Sequence, residues 1–448
     1  MAMRLGLRRH GRRVRLDGAA QLERDAVALR RSALPATIDE LADRCGDARV
    51  VLLGESTHGT HEFYALRAAL SLRLLDRHGF AALAVEADWS SARPLDRYIR
   101  RQGADRSADE ALAGFTRFPR WMWRNSVIRE LVEDLRAMNA TRTSAERIRL
   151  FGLDLYSMFA SMTSVVEHLD PLDPDAAEAA RRRYACFDVF GGDAQRYGLL
   201  ATGDATPVCR DAVLAQLQEM EARRQVAPSK LHDEAFLAEQ DARVAANAER
   251  YYRDLYLGRA SSWNVRDMHM AAMLDKIVEH VGGPVVVWAH NSHVGDARAS
   301  EMGDSGEVSL GQLARERFGH DARLVGFTTS TGTVTAAPGW GDTAEHVPVR
   351  APRADGTEAL LSAVQLPSFA LDLRAPAVRD VLEPRRLERA IGVVYRPTTE
   401  RVSHYFSASA ADRFDLLVHL EETTALAPLE PVCEWDETEL PQTYPTAV

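Results

Sequence analysis

RVVLLGESTHGTHEFYALR, residues 49–67, is the stretch that decides the fold. The apolar run from Val50 to Leu53 has the length and the branched side chains of a buried strand. It stops at Gly54, and Glu55, Ser56, Thr57, His58, His61 and Glu62 follow at once. Apolar residues then recur at helical spacing through Phe63, Leu66, Leu70 and Leu74. Open α/β sheets place their sites at strand–turn–helix junctions of this kind, at the carboxyl end of a strand. The stretch therefore predicts an α/β fold with a mostly parallel central sheet flanked by helices.

Working outward, the helix runs to about Arg77 and stops at His78-Gly79, with glycine past the last turn. The run FAALAVEAD, residues 80–88, reads as a strand ending on Glu86 and Asp88. Strand, helix and strand with short links form a βαβ unit, so these two strands are expected to be parallel and adjacent. RIRLFGLD, residues 147–154, reads as a third strand ending on Asp154, with Tyr156 just beyond. PVVVWAHNSHVGD, residues 284–296, reads as a fourth, its apolar run ending at His290 with His293 after it. The expected organisation is a basic arm at 1–20, a first part of the α/β core at 21–173, a helical insertion at 174–281 and the rest of the core at 282–448. Within the insertion, Ala235 to Tyr256 has the mixed charge and alanine spacing of a solvated helix. SFALDLR, RAIGVVY and FDLLVHLEE read as short strands near the end of the chain.

Composition narrows the function. With 448 residues and 46% hydrophobic content the chain can bury a large core. A formal net charge of −10 gives no electrostatic footprint for nucleic acid. Lys230 and Lys276 are the only lysines, which excludes a lysine nucleophile at any other position. Cys45, Cys186, Cys209 and Cys433 form no C-x-x-C pair, and the pattern reads as free thiols in a reducing, cytoplasmic compartment. The basic N-terminus lacks the apolar segment of a secretory signal, and no apolar run reaches the length of a membrane span. Neither a membrane nor a nucleic acid is expected as a partner, and the sequence does not speak to oligomeric state.

Four apolar runs thus end on a titratable group: Glu55, Glu86, Asp154 and His290. If they share one parallel sheet, all four groups meet at one edge, with His58 and His293 just beyond. Taken singly, a carboxylate at a strand end often caps the next helix, and a lone histidine is often structural. No G-x-S-x-G elbow is present, and no cysteine lies near the motif, so water is the expected nucleophile. His58 would take its proton, Glu55 would hold the imidazole in one tautomer, and His290, His293 or Arg67 would face the developing oxyanion. The competing reading uses a divalent ion on His58, His61, Glu62, His290 and His293, although H-G-T-H-E matches neither zinc-protease motif. The loop FTRFPRWMWRN, residues 115–125, is either core or the wall of a cleft for a large apolar substrate.

The blocks GESTHGTHEFYALR, AVEADWSSARPLDRYI, FPRWMWRN, FGLDLYS, VWAHNSHVG, IGVVYRPTTE and YFSASAADRFDLLVHLEETTA occur in order from about residue 40 to 427. Together they resemble the erythromycin esterase family. The resemblance implies an α/β core with a helical insertion and hydrolysis of a small-molecule ester such as a macrolide lactone. It implies that His58 is the general base, with Glu55, Arg67, Glu86, His290 and His293 as its catalytic partners. It places Asp154 on the family's G-x-D block. Asp154, Tyr156, Trp121 and Trp123 are the expected substrate-binding residues. No cofactor is required on this reading, though a divalent metal is compatible with it. The family also holds polysaccharide-biosynthesis members, so a non-catalytic ligand-binding role is the third reading.

Overall fold

The computed structural model describes residues 18–30, 34–201, 209–256 and 258–430. Its strands are β1 (Val27–Ala28), β2 (Val50–Leu53), β3 (Ala82–Asp88), β4 (Arg149–Asp154), β5 (Val285–Trp288), β6 (Ala322–Ala336), β7 (Glu345–Val349), β8 (Ser368–Asp372), β9 (Arg386–Arg389), β10 (Tyr405–Ala408) and β11 (Leu416–Thr423). Nine of them form one sheet in the order β1-β8-β11-β6-β2-β5-β3-β4, with β7 paired to β6. The pairs from β11 to β4 are parallel, while β8, β1 and β7 join antiparallel. The fold is α/β with a mixed, mostly parallel sheet. β2 (VVLL) and β5 (VVVW) are buried at every position, which is why they read as unbroken apolar runs.

The four strands that end on titratable groups are contiguous and parallel, as β2-β5-β3-β4. One expectation fails here. β2 and β3 are not neighbours, because β5 lies between them and pairs with both. The long excursion from β4 returns to the middle of the sheet, and no local signal marks that insertion point. RAIGVVY also departs from expectation. Strand β9 ends at Arg389, and Ile391 and Val394 make only isolated bridges, to Thr57 and Ala337.

Between β4 and β5 the described chain is helical, at Met158–Leu169, Pro174–Tyr184, Ala194–Ala201, Arg210–Gln225, His232–Asp254 and Arg259–Val281. The earlier helices share a second apolar cluster around Met162, Phe187, Tyr197, Ala242 and Tyr252. Helix His232–Asp254 belongs to both clusters, since Phe236 and Val244 enter the main core. It is therefore not the solvated helix its charge pattern suggests. Glu239, Gln240, Asp241 and Glu249 are all buried. Their charges are satisfied inward: Glu239 by Arg224 and Arg243, Asp241 by Trp89 and Arg93, and Glu249 by Tyr197 and Arg253.

The cysteines also differ from expectation. Cys186 and Cys209 are joined by a disulfide with Cα atoms 6.0 Å apart, while Cys45 is buried and free. Helix packing brings the pair together across 23 residues, a spacing that carries no motif. The cysteine pattern therefore no longer argues for a reducing compartment. Cys433 and most of the expected basic arm lie outside the described residues, and Gly18–Ala20 begin a helix. Among the described residues no helix is long and apolar enough to cross a membrane.

Candidate active site

The turn after β2 is shaped by two close approaches. A Cβ on Gly54 would lie 2.0 Å from Asn291 Oδ1, and one on Gly59 would lie 1.8 Å from the Thr335 carbonyl. Only glycine lets the turn pass the β5 and β6 segments this closely. Between the glycines the backbone is pinned by the Ile391 amide donating to the Ser56 carbonyl (2.8 Å) and the His58 amide donating to the Ile391 carbonyl (3.2 Å). Thr57 and Thr60 bond through their hydroxyls.

This frame delivers a buried dyad. His58 Nδ1 lies 3.0 Å from Glu55 Oε1. The other carboxylate oxygen, Oε2, accepts from Arg67 Nη2 at 2.6 Å. Arg67 sits two helical turns into His61–Arg77, fully buried, with its guanidinium 4.6 Å from the Tyr64 and Trp288 rings. With both Glu55 oxygens engaged, Nδ1 of His58 donates, and Nε2 is the free base on a ring that lines the cavity. His61 and Glu62 stand apart from this dyad. Glu62 accepts from the Thr424 amide and hydroxyl at 2.8 and 2.7 Å.

His290 follows β5 and packs its ring 4.7 Å from that of His58. Its Nδ1 accepts from the Ser292 amide (3.2 Å), capping the short helix Asn291–Val294, so its proton belongs on Nε2. Burial and the adjoining His58 hold His290 well below the usual histidine range, against the pull of Glu86.

A second network occupies the ends of β3 and β4. Arg266, from helix Arg259–Val281, sits at its centre. Its Nη2 donates to Glu86 Oε1 at 2.7 Å and to Asp154 Oδ2 at 2.6 Å, and its Nε to Asp154 at 3.1 and 3.2 Å. Glu86 Oε2 accepts the backbone amide of His290 at 2.7 Å. Burial alone would raise the Glu86 carboxyl, but His293 and Arg266 outweigh it and hold it well below the carboxylate range. His293 is held by Asp267, both of whose oxygens lie 2.9 Å from Nδ1. Its ring stacks on Trp263 at 4.4 Å. Nε2 faces Arg266 Nη1 at 3.0 Å and Glu86 Oε1 at 3.3 Å, so it accepts from the guanidinium when neutral and donates to the carboxylate when charged. Burial lowers His293, yet Asp267 and Glu86 together lift it to about 9.

Both networks open on one cavity. Its polar wall carries His58, Glu86, Asp88, Arg117, Asp154 and Arg266. Its apolar wall carries Phe115, Phe118, Met122, Trp123 and Trp340. Tyr156 lines it too, under the guanidiniums of Arg117 and Arg266 at 5.4 Å each. Both tryptophans pack within the main core, but Trp123 is on this wall and Trp121 is not. Glu55, Arg67, His290 and His293 stand behind the lining.

Arg266, Asp267, Arg117 and Trp340 have no counterpart among the sequence-predicted site residues. Arg266 and Asp267 sit inside a long helix, where an Arg-Asp pair looks like any exposed charge pair. The five side chains expected as metal ligands do not gather. Among the described residues, no group of three His, Cys, Asp or Glu side chains is placed to hold one ion. Between Glu86 and Asp154 the cation is the Arg266 guanidinium.

Residues 75–423 match the family model for erythromycin esterase. Erythromycin esterase type II of Escherichia coli is 24% identical over 314 residues, 65% of this chain and 71% of that protein. Among solved structures, a succinoglycan biosynthesis protein superposes with a TM-score of 0.76 at 21% identity, covering 92% of this chain and 98% of that one. An erythromycin esterase mutant in its open conformation gives a TM-score of 0.62 at 18% identity, covering 90% and 95%. At these identities the structural likeness speaks to the fold.

Proposed function

The chain belongs to the erythromycin esterase family, and from that premise we propose that it hydrolyses a carboxylic ester or lactone by general-base activation of water. The observation that carries this reading is His58, a cavity-lining imidazole whose Nδ1 is tied to a carboxylate that Arg67 holds in turn. An imidazole whose Nδ1 is tied to a carboxylate turns its Nε2 toward the substrate as a base.

Water on Nε2 attacks the ester carbonyl and passes its proton to His58. The glutamate then faces an imidazolium, which its charge stabilises. Negative charge grows on the carbonyl oxygen, which the Arg266 guanidinium on the cavity wall faces with positive charge. No side chain in the dyad is a nucleophile in its own right, so no covalent intermediate forms. The apolar wall fits a substrate with a large hydrophobic body, and macrolide lactones meet that description. Mass spectrometry of macrolides and simple esters incubated with the protein is the test. Gain of one water with the wild type and none with His58→Ala is expected. Equal conversion by both proteins would remove His58 from the role of base.

A further inference from the structure

Hydrolysis needs a proton at both ends. The base takes one from water, and an alkoxide leaving group must receive one to depart. His58 accounts for the first. The polar wall holds one carboxyl that both networks leave out. Asp88 lies two residues past Glu86 at the end of β3, its backbone paired with Asp154 of β4. Its Oδ2 accepts from Arg117 Nη1 at 3.0 Å, and Arg117 is also tied to the Tyr156 carbonyl at 2.7 Å. The Oδ1 atom is buried without a hydrogen-bond partner of normal geometry. Asp88 heads helix Trp89–Ile99, but its side chain does not cap it.

We infer that Asp88 is the general acid that protonates the leaving alcohol, in the cavity that His58 also lines. This rests on the hydrolytic reading above. Both side chains line one cavity, His58 past the end of β2 and Asp88 at the end of β3, with β5 between those strands. An acid and a base that face one cavity can flank an attacking water, as in other hydrolases. Burial lifts the Asp88 carboxyl to about 6 and Asp154 adds to the rise, while Arg117 and the backbone of Tyr156 and Ser157 oppose it. A carboxyl tuned in this way is still partly protonated near neutral pH.

The step balances. The tetrahedral oxyanion re-forms its C=O bond, the C–O bond to the alcohol breaks with its electron pair, and that oxygen takes the Asp88 proton. Asp88 is left as a carboxylate and His58 as an imidazolium. Proton return through solvent from His58 to Asp88 restores both.

The test uses two esters of one apolar acid, a nitrophenyl ester whose leaving group departs without a proton and an alkyl ester whose alkoxide needs one. kcat/KM is measured for the full-length wild type, Asp88→Asn and Asp88→Glu. The assignment expects Asp88→Asn to lower the alkyl-to-nitrophenyl ratio of kcat/KM on the order of 10²-fold or more, and Asp88→Glu to recover part of it. A circular-dichroism melt checks that each variant is folded. An unchanged ratio, whether both rates fall together or neither falls, overturns the role of Asp88. A wild type that hydrolyses neither ester nor any macrolide overturns the hydrolase reading itself, and this assignment with it.

Discussion

The two halves of the site use the same kinds of residue and do different work. At the ends of β2 and β5, Glu55, His58, Arg67 and His290 form an open chain in which one imidazole edge is left facing the cavity. At the ends of β3 and β4, Glu86, Asp154, Arg266, His293 and Asp267 form a closed network in which every charge has a partner. The open half can move a proton. The closed half is a fixed field, expensive to disturb because it is buried. A histidine's role here follows from what its second nitrogen meets, and not from its place in a motif.

Removing the free edge is expected to have the largest effect. His58→Ala should lower kcat at least about 10²–10⁴-fold, read by ester turnover, with a circular-dichroism melt close to the wild type. A full loss of helical signal instead would move His58 to the structural side of the comparison. Opening the closed half should act on stability first. Arg266→Met leaves Glu86 and Asp154 buried without their cation, at a cost of about 3–5 kcal/mol in denaturant unfolding. A cost under about 1 kcal/mol would show that the network is not a closed unit.

The halves should also differ in pH response. The folded pKa of His293 is raised to about 9, so the folded state holds that proton more tightly than the unfolded chain does. This contribution to stability is complete below about pH 6.5 and is lost as pH rises toward 9, with a slope of at most about 1.4 kcal/mol per pH unit. His293→Gln should flatten the urea-unfolding profile across that window. An unchanged slope would place the proton elsewhere. On the apolar wall, Trp123→Leu should raise KM for a bulky substrate about tenfold and leave kcat nearly as it was. A kcat loss without a KM change would tie Trp123 to chemistry. The smallest expected effect is that of exhaustive chelation, which should leave turnover as it was because the Arg266 guanidinium already stands between Glu86 and Asp154. Loss of activity restored by a divalent ion would reverse that reading.

Much of this was legible along the chain. Val50–Leu53 and Val285–Trp288 are apolar at every position because strands in the middle of a parallel sheet are covered on both faces, and such runs can be found by eye. The titratable residues at their ends followed. Arg67 rested mainly on the resemblance, since one arginine on a helix carries little local signal. Arg266 and Asp267 were invisible for the same reason, and Asp88 was read as a strand end alone. The helix at 232–254 was misread because charge spacing does not say whether a charge faces water or a buried partner.

The sequence by itself determined β2, β3, β4 and β5 and the acids and bases at their ends, since burial pattern and local turn chemistry are properties of neighbouring residues. Only the tertiary structure decided that β5 enters between β2 and β3, which histidine keeps a free nitrogen, and that an arginine from a distant helix closes the second network. Each of those depends on contacts between residues far apart in the chain, where position in sequence carries no information about distance.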